Sequence, residues 1–259
     1  MLAVERRNLI LEELQQNKKV IVSDLARSFE VSEETIRRDL EKLDRDGLAI
    51  KSYGGAVINE NTSIDMPFNI RKKKNIAGKQ AIAEIIRDLI EDGDHIILDP
   101  STTAVFIAKA LKDKKHLTVI TNSIEVMIEL SDVSDWNIIS SGGSMREGYL
   151  ALVGPRAVEG LGSYNVEKVI LSCKGIDMQK GITDGSELFS ETKKTMIKSA
   201  RQRILAVDHT KFDTFAFSKI CSVGDLDMVA TDEKPQDKWL EEFAALGIKC
   251  LYPQNAELK

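Results

Sequence analysis

Arg37 and Arg38 stand side by side in the run Ser32-Glu33-Glu34-Thr35-Ile36-Arg37-Arg38-Asp39-Leu40, with Lys42 and Arg45 close behind. A guanidinium fork suits a guanine edge or a phosphate, and hydroxyls suit phosphate oxygens. A second group of candidates lies further along the chain: Asp99 with Ser101, Thr102 and Thr103; Thr121 with Asn122; Gly142 with Gly143; Lys174; and Asp208 with Lys211. Hydroxyls, backbone amides and a lysine can hold a phosphate, and an aspartate can hold a sugar hydroxyl. The cysteines (Cys173, Cys221, Cys250) and histidines (His95, His116, His209) are scattered, with no CxxC and no nucleophile–histidine pair. We therefore assign no catalytic residue, no metal site and no cofactor.

The first group needs a short, rigid helix. On a 100° wheel Ile36, Leu40 and Leu43 fall within a narrow arc and Arg38 lies nearly opposite, so one edge docks and the other carries arginine. Ser32 is a good N-cap for a helix over 33–46, Glu33 and Glu34 suit its positive end, and Gly47 suits its stop. Upstream, residues 4–16 read as a helix with Leu9, Ile10 and Leu14 on one face. Ser23 is a candidate cap for a helix over 24–29, with Glu30-Val31 as a tight connection. Residues 48–57, with Gly54-Gly55 inside, read as a short hairpin like a wing. Such a head fits a major groove. Charge alone does not exclude a three-helix module with a solvated charged face, since residues 1–57 hold 10 basic and 11 acidic side chains, but Arg37 and Arg38 on the outward side of the third helix tip the balance toward DNA.

The second group lies where short apolar runs end. The runs are 95–98, 117–120, 137–140, 168–172, 204–207 and 228–230, and amphipathic segments over 102–111, 123–130, 189–200 and 236–246 separate several of them. A further helix over about 75–91 carries Ile82, Ile85, Ile86 and Leu89. This alternation predicts an α/β body with a mostly parallel, Rossmann-like sheet. Open sheets of this kind bind ligands beyond the carboxyl ends of their strands. Taken singly, the Ser101 run could be an ordinary N-cap, the glycine pair an ordinary turn, and Asp208 with Lys211 a surface pair worth little.

Composition sets the outer bounds. The chain has 259 residues, 42% apolar, with 36 basic and 41 acidic side chains, giving −5. That excludes wholesale disorder and a uniformly basic nucleic-acid coat. Residues 1–79 carry +2 (15 basic, 13 acidic) and the remainder −7 (21 and 28), so a small anion-facing head joined to an acidic body is expected. No apolar run approaches the roughly 18 residues of a membrane span, and no secretory leader is apparent, so a cytoplasmic protein is expected. The boundaries read as 1–57 for the head, 58–74 for a linker containing the polar Asn59-Glu60-Asn61-Thr62-Ser63, and 75–259 for the body. Arg71-Lys72-Lys73-Lys74 is either a solvated helix start or an auxiliary phosphate contact.

Val20-Ile21-Val22-Ser23-Asp24-Leu25-Ala26, Phe29, Val31-Ser32, Thr35-Ile36-Arg37-Arg38-Asp39-Leu40 and Leu43 resemble the helix-turn-helix signature of the DeoR family of bacterial transcription regulators. Tyr53-Gly54-Gly55-Ala56 resembles the family's wing, with Tyr53 where histidine is usual. The resemblance continues through Ser101-Thr102-Thr103, Thr121-Asn122, Gly142-Gly143 and Asp208-His209-Thr210-Lys211-Phe212. It implies a winged helix-turn-helix head and a sensor body similar to ribose-5-phosphate isomerase. It further implies that Ser32, Thr35, Arg37 and Arg38 touch operator DNA, with Lys42 and Tyr53 beside them. Pro100 and Lys174 depart from the family pattern. The expected protein is an oligomeric (dimeric or tetrameric) repressor of a sugar-catabolism operon, acting at the bacterial nucleoid and released from double-stranded operator DNA by a phosphorylated sugar. The alternatives are an isomerase-like enzyme fused to a DNA-binding head, using Lys174 and Asp99 as acid and base, and an architectural protein with a structural body.

Overall fold

A computed structural model of the chain describes residues 1–59, 66–146 and 148–253. They form two compact units, Met1–Lys74 and Asn75–Lys259.

The head contains α1 (Ala3–Asn17), β1 (Lys19–Ile21), α2 (Val22–Ser28), α3 (Glu33–Arg45), β2 (Ala49–Ser52), β3 (Gly55–Ile58) and α4 (Phe68–Lys73). Ile10, Leu11, Leu14, Leu25, Ile36, Leu40 and Leu43 close its core. Each such side chain contributes about 1.5–3 kcal/mol by leaving water. Leu9 differs from the expectation: it is exposed, because Leu11 takes the inward position beside Ile10 and Leu14. Helix α2 starts one residue before Ser23, with Ile21 at its N-cap and no side-chain cap. The cause is β1, which the pattern did not reveal. It pairs antiparallel with β3 and sets where the helix can begin. β3 pairs with β2 as the expected hairpin, giving the order β1-β3-β2.

The expected linker 58–74 is partly built into the head. Ile58 ends β3, and α4 buries Ile70 in the head's core with Met66 packed alongside. Of the polar stretch 59–63, all but Asn59 lies outside the described residues.

The second unit contains α5 (Ile76–Arg87), β4 (His95–Leu98), α6 (Thr102–Ala110), β5 (Thr118–Thr121), α7 (Ile124–Glu129), β6 (Asn137–Ser140), β7 (Ser144–Arg146), β8 (Ala151–Val153), α8 (Pro155–Gly162) and β9 (Val166–Leu171). It continues with β10 (Gly175–Asp177), β11 (Gly181–Asp184), α9 (Glu187–Lys198), β12 (Ala200–Ala206), β13 (Ser218–Cys221), β14 (Met228–Ala230), α10 (Asp237–Ala245) and β15 (Lys249–Leu251). Among the described residues seven strands form one sheet in the order β15-β14-β12-β9-β4-β5-β6, all pairs parallel. Its central strands read Ile96-Ile97-Leu98, Val169-Ile170-Leu171 and Ile204-Leu205-Ala206, all buried, as a sheet covered on both faces requires. The expected doubly covered α/β body is therefore present.

The chain order reverses at β4. From it the sheet grows through β5 and β6 in one direction and through β9, β12, β14 and β15 in the other. A crevice at the carboxyl ends of such a switch point is where open α/β sheets place ligands. Two smaller assemblies lie outside this sheet, β7–β8 and β10-β11-β13, both antiparallel. Their three- and four-residue strands show too little alternation to be read beforehand.

Candidate functional site

In the head, α3 is held from three sides. Ser32 accepts from the Thr35 amide at 3.2 Å, and the two hydroxyls lie 2.9 Å apart. Asp39, on the inner side and buried, accepts from Arg6 Nε at 2.5 Å and Arg7 Nη1 at 3.3 Å, which fastens α3 to α1. Lys51 of β2 donates its amide to Asp44 at 2.9 Å and its ammonium to Glu41 at 2.6 Å, which fastens the wing. The Lys51 hydrogen bond holds the Glu41 carboxyl below its ordinary range.

The outward residues carry only local pairs. Arg37 meets Glu33 at 2.5 Å, Arg38 meets Glu34 at 3.3 Å, and Lys42 meets Asp46 at 2.8 Å, all at i,i+4 spacing and exposed. Exposed pairs of this kind are weak, so a phosphate or base edge can displace the carboxylates. Tyr53 is fully exposed at the tip of the wing. Gly54 there has φ +81°, and a Cβ at Gly55 would sit 2.0 Å from the Val20 carbonyl oxygen, so the glycine pair is needed for the tight turn and for contact with β1. Ser32, Thr35, Arg37, Arg38 and Lys42 thus share α3 and its cap, while Tyr53 extends from the neighbouring hairpin. Arg6 and Lys51, which orient this surface, were not anticipated. Among the basic run, Lys73 pairs with Glu12 at 2.6 Å and Arg71 lies over the Phe68 ring.

In the second unit the candidates fall at carboxyl ends of neighbouring strands, but they do different things. Asp99 follows β4 and is wholly buried. Its carboxylate accepts from the amides of Ser101 at 3.1 Å and Ser172 at 2.9 Å, and lies 3.2 Å from the Lys193 ammonium. It therefore joins the ends of β4 and β9 across the switch point and does not stand free as a base for Lys174. Thr121 donates to the Leu98 carbonyl at 2.7 Å and accepts from the Ser123 amide at 3.0 Å, so its hydroxyl is also engaged. Asn122 donates to the Leu152 carbonyl at 2.9 Å, but its Oδ1 is buried with no hydrogen-bond partner among the described residues. Ser101 caps α6 through the Ala104 amide at 3.0 Å, with Thr102 and Thr103 buried behind it.

Gly142 and Gly143 have φ +68° and +110°, and a Cβ at Gly143 would meet the Val153 carbonyl oxygen at 2.8 Å. That pair brings the end of β6 against β8. Lys174 donates its amide to Thr183 at 2.9 Å and is half-buried. Asp208 accepts from the amide and the hydroxyl of Thr210 and so caps the turn that carries Lys211. A β-bridge from Phe212 to Ile176 seats that turn beside β10. The Lys211 charge acts on the Cys173 thiol just beyond β9.

In the second unit a residue missed at sequence level is Lys193. It stands on α9 in the stripe Phe189, Lys193, Met196, Ile197, where an apolar side chain belongs. That mismatch was its only signal. Its ammonium, buried, lies 2.6 Å from Asp184, 3.2 Å from Asp99 and 2.7 Å from the Ser172 carbonyl. Burial alone would lower its pKa, but the Asp184 and Asp99 charges outweigh that and raise it, so it stays protonated and is no general base. Cys173 is equally unsuited to nucleophilic work, since burial pushes its thiol up to about 12.

His209, Asp232 and Glu233 place three potential ligand atoms within 4.8 Å of one another. Asp232 is already occupied: it accepts from the His209 amide at 2.7 Å and from Asn75 Nδ2 at 2.8 Å, with His209 Nδ1 at 2.9 Å. The arrangement is that of an ion pair. The Asp232 hydrogen bond raises the His209 pKa; burial pushes Asp232 up, but the bonds from Asn75 and His209 hold it below the usual carboxylate value.

Residues 6–62 match the model of the DeoR-like helix-turn-helix domain, and residues 74–233 match that of the DeoR C terminal sensor domain. This chain belongs to the DeoR family. DeoR-family members are transcriptional regulators, and this one matches its relatives over nearly their full length. It is 42% identical over 232 residues to YulB, an uncharacterised HTH-type transcriptional regulator of Bacillus subtilis, with 90% of each chain covered. It is 30% identical over 235 residues to the glycerol-3-phosphate regulon repressor of Escherichia coli K12, covering 91% of this chain and 93% of that one. Among solved structures, ribose 5-phosphate isomerase A of Methanocaldococcus jannaschii aligns with 54% of this DeoR-family chain and 55% of its own, at 16% identity and TM-score 0.39.

Proposed function

We propose that this DeoR-family regulator represses a sugar-catabolism operon and that a phosphorylated sugar releases it. The observation that carries the ligand half of this reading is the buried, unpartnered Asn122 Oδ1 at the end of β5. An acceptor left without a partner in the interior costs about 1–3 kcal/mol, which a ligand hydroxyl would recover. Ser101, Thr102 and Thr103 open α6 beside it, at a positive helix end suited to phosphate. Asp208, Lys174 and Lys211 complete the set from the ends of β9 and β12, with Gly142 and Gly143 shaping its far side. Asp99 and Thr121 act by holding strand ends in place.

On the DNA side Ser32 and Thr35 contact phosphates, while Arg37 and Arg38, flanked by Lys42, enter the major groove. Tyr53 carries the wing to the backbone. A single head makes few contacts, so the working form is a dimer or tetramer presenting two heads to repeated half-sites. It works in the bacterial cytoplasm, at the nucleoid. Among the described residues no helix is long and apolar enough to cross a membrane.

The test is thermal unfolding of the full-length protein against matched phosphorylated and free sugars, with operator binding measured alongside. One phosphorylated sugar should raise Tm and weaken operator binding while its free form does neither. No shift in Tm and no change in operator binding across the panel would sink the effector reading.

A further inference from the structure

The second unit begins at Asn75, the residue that follows the last one of the head. Asn75 has a left-handed backbone, φ +44°. Asparagine adopts this conformation more readily than most non-glycine residues, and here its side-chain bonds fix it. Here its side chain is used twice. Oδ1 accepts from the Gly78 amide at 3.2 Å and caps α5, and Nδ2 donates to Asp232 Oδ2 at 2.8 Å, 157 residues away. Asp232 continues the chain of contacts. It accepts from the His209 amide at 2.7 Å, and His209 Nδ1 lies 2.9 Å from the oxygen that Asn75 touches. His209 is the residue between Asp208 and Thr210 in the turn that carries Lys211.

Gly78 reports independently that this closure is built in. A Cβ at Gly78 would lie 2.4 Å from Asn75 Nδ2 and 2.4 Å from Asp232 Oδ2. Glycine is among the poorest helix formers. Its place in the first turn of α5 is explained by the carboxylate that must approach there.

We propose that Asn75, Asp232 and His209, closed around Gly78, form a latch that transmits ligand occupancy of the Asp208–Lys211 turn to the point where the head joins the sensor. The proposal rests on the reading above that a phosphorylated sugar binds that turn. The closed latch described above is assigned as the state competent for DNA. A phosphate engaging Lys211 and a hydroxyl engaging Asp208 draw the turn toward the ligand. His209 moves with its neighbours and pulls on Asp232. Asn75 then loses one of the two side-chain bonds that fix it, and the chain leaving Lys74 is freed to take another direction. The ligand biases a two-state element, and its leverage is the difference in its affinity for the two states. These three are positioning residues and touch neither sugar nor DNA.

The experiment measures operator affinity of the full-length protein by fluorescence anisotropy, without sugar and with ribose 5-phosphate, glucose 6-phosphate, fructose 6-phosphate and glycerol 3-phosphate in turn. The variants are Asp232→Asn, Gly78→Ala and His209→Gln, with Ile248→Val as a core truncation elsewhere in the same unit. Asp232→Asn and Gly78→Ala should bind operator about five-fold or more weakly without sugar. They should bind whichever phosphorylated sugar acts at least as tightly as wild type, because the state it favours is already populated, and lose most of the release it causes. His209→Gln, which can still hydrogen-bond, should fall between them and wild type, and Ile248→Val should change neither quantity. Sugar-free affinity and release that stay at wild-type values in both Asp232→Asn and Gly78→Ala, with only a lower Tm, would overturn the latch. Wild type that ignores all three sugar phosphates and glycerol 3-phosphate argues against the effector reading, and the sugar-free arm still decides the latch: weakening in Asp232→Asn but not in Ile248→Val sustains it, and equal behaviour overturns it.

Discussion

Asp39 and Lys193 show how a charged side chain can organise a site without belonging to its contact surface. Each is buried against opposite charge and fastens one element to another. Removing one partner of such a group leaves the others buried and uncompensated, at about 3–5 kcal/mol. Lys193→Met should therefore destabilise the second unit by about that much, since Asp99 and Asp184 would face each other without a cation. Urea unfolding checks this, and an unchanged midpoint would show the lysine to be dispensable. Arg38 is the opposite case. It is exposed and weakly paired with Glu34, so Arg38→Ala should leave stability unchanged. Operator affinity should fall, and the slope of log affinity against log salt should flatten by about one, as one fewer counterion is released. An unaltered affinity and slope would mean that α3 does not face DNA.

Among the elements, the wing and the latch turn both depend on close approach. Gly55→Ala would force a Cβ to within 2.0 Å of the Val20 carbonyl oxygen, so β3 must move away from β1. Overpacking of this kind costs about 1–3 kcal/mol. A stability loss in that range is expected, together with weaker operator binding as the wing shifts. Tyr53→Ala, at the fully exposed tip, should weaken operator binding with no change in Tm. At the turn, His209 is faced by Asp232, Glu233 and Asp208, all of which raise its pKa. Its contribution is complete below the ordinary histidine value of 6.5 and is lost as pH rises through the higher folded value. The Asp232 contribution is present above 3.8 and is lost as pH falls through its lowered folded value. Wild type should thus lose more Tm than His209→Gln between pH 6 and pH 9 (roughly one histidine titration). Parallel curves would remove the pair from the stability account.

For the whole molecule, the chain divides into two compact units, Met1–Lys74 and Asn75–Lys259. The head has its own core, built from α1, α2, α3 and the small sheet. The isolated head should fold, yet bind operator about 10²–10⁴-fold more weakly than the full chain if the second unit supplies the pairing of heads. Sedimentation of the full chain and operator titration of the isolated head check this together. Equal affinities would show that one head suffices.

Most of the fold class was legible from residue order, because the forces that set it are local. Ser32 caps α3 from three residues away, Ile36, Leu40 and Leu43 share a face by helical period, and the buried runs of β4, β9 and β12 declare a sheet covered on both sides. The positions of Asp99, Asn122 and Lys211 at strand ends followed from the same pattern. What the order of residues could not show depends on partners distant in sequence. β1 becomes a strand only because β3 returns to pair with it. Asp99 reads as a ligand contact until Lys193, 94 residues later, neutralises it across the switch point. Asn122 becomes notable only because folding leaves its oxygen buried and unmet. Gly78 looks like a flaw in a helix until Asp232 arrives against it. Local preferences are written into neighbouring residues, whereas burial, charge compensation and close approach exist only once the chain has closed on itself.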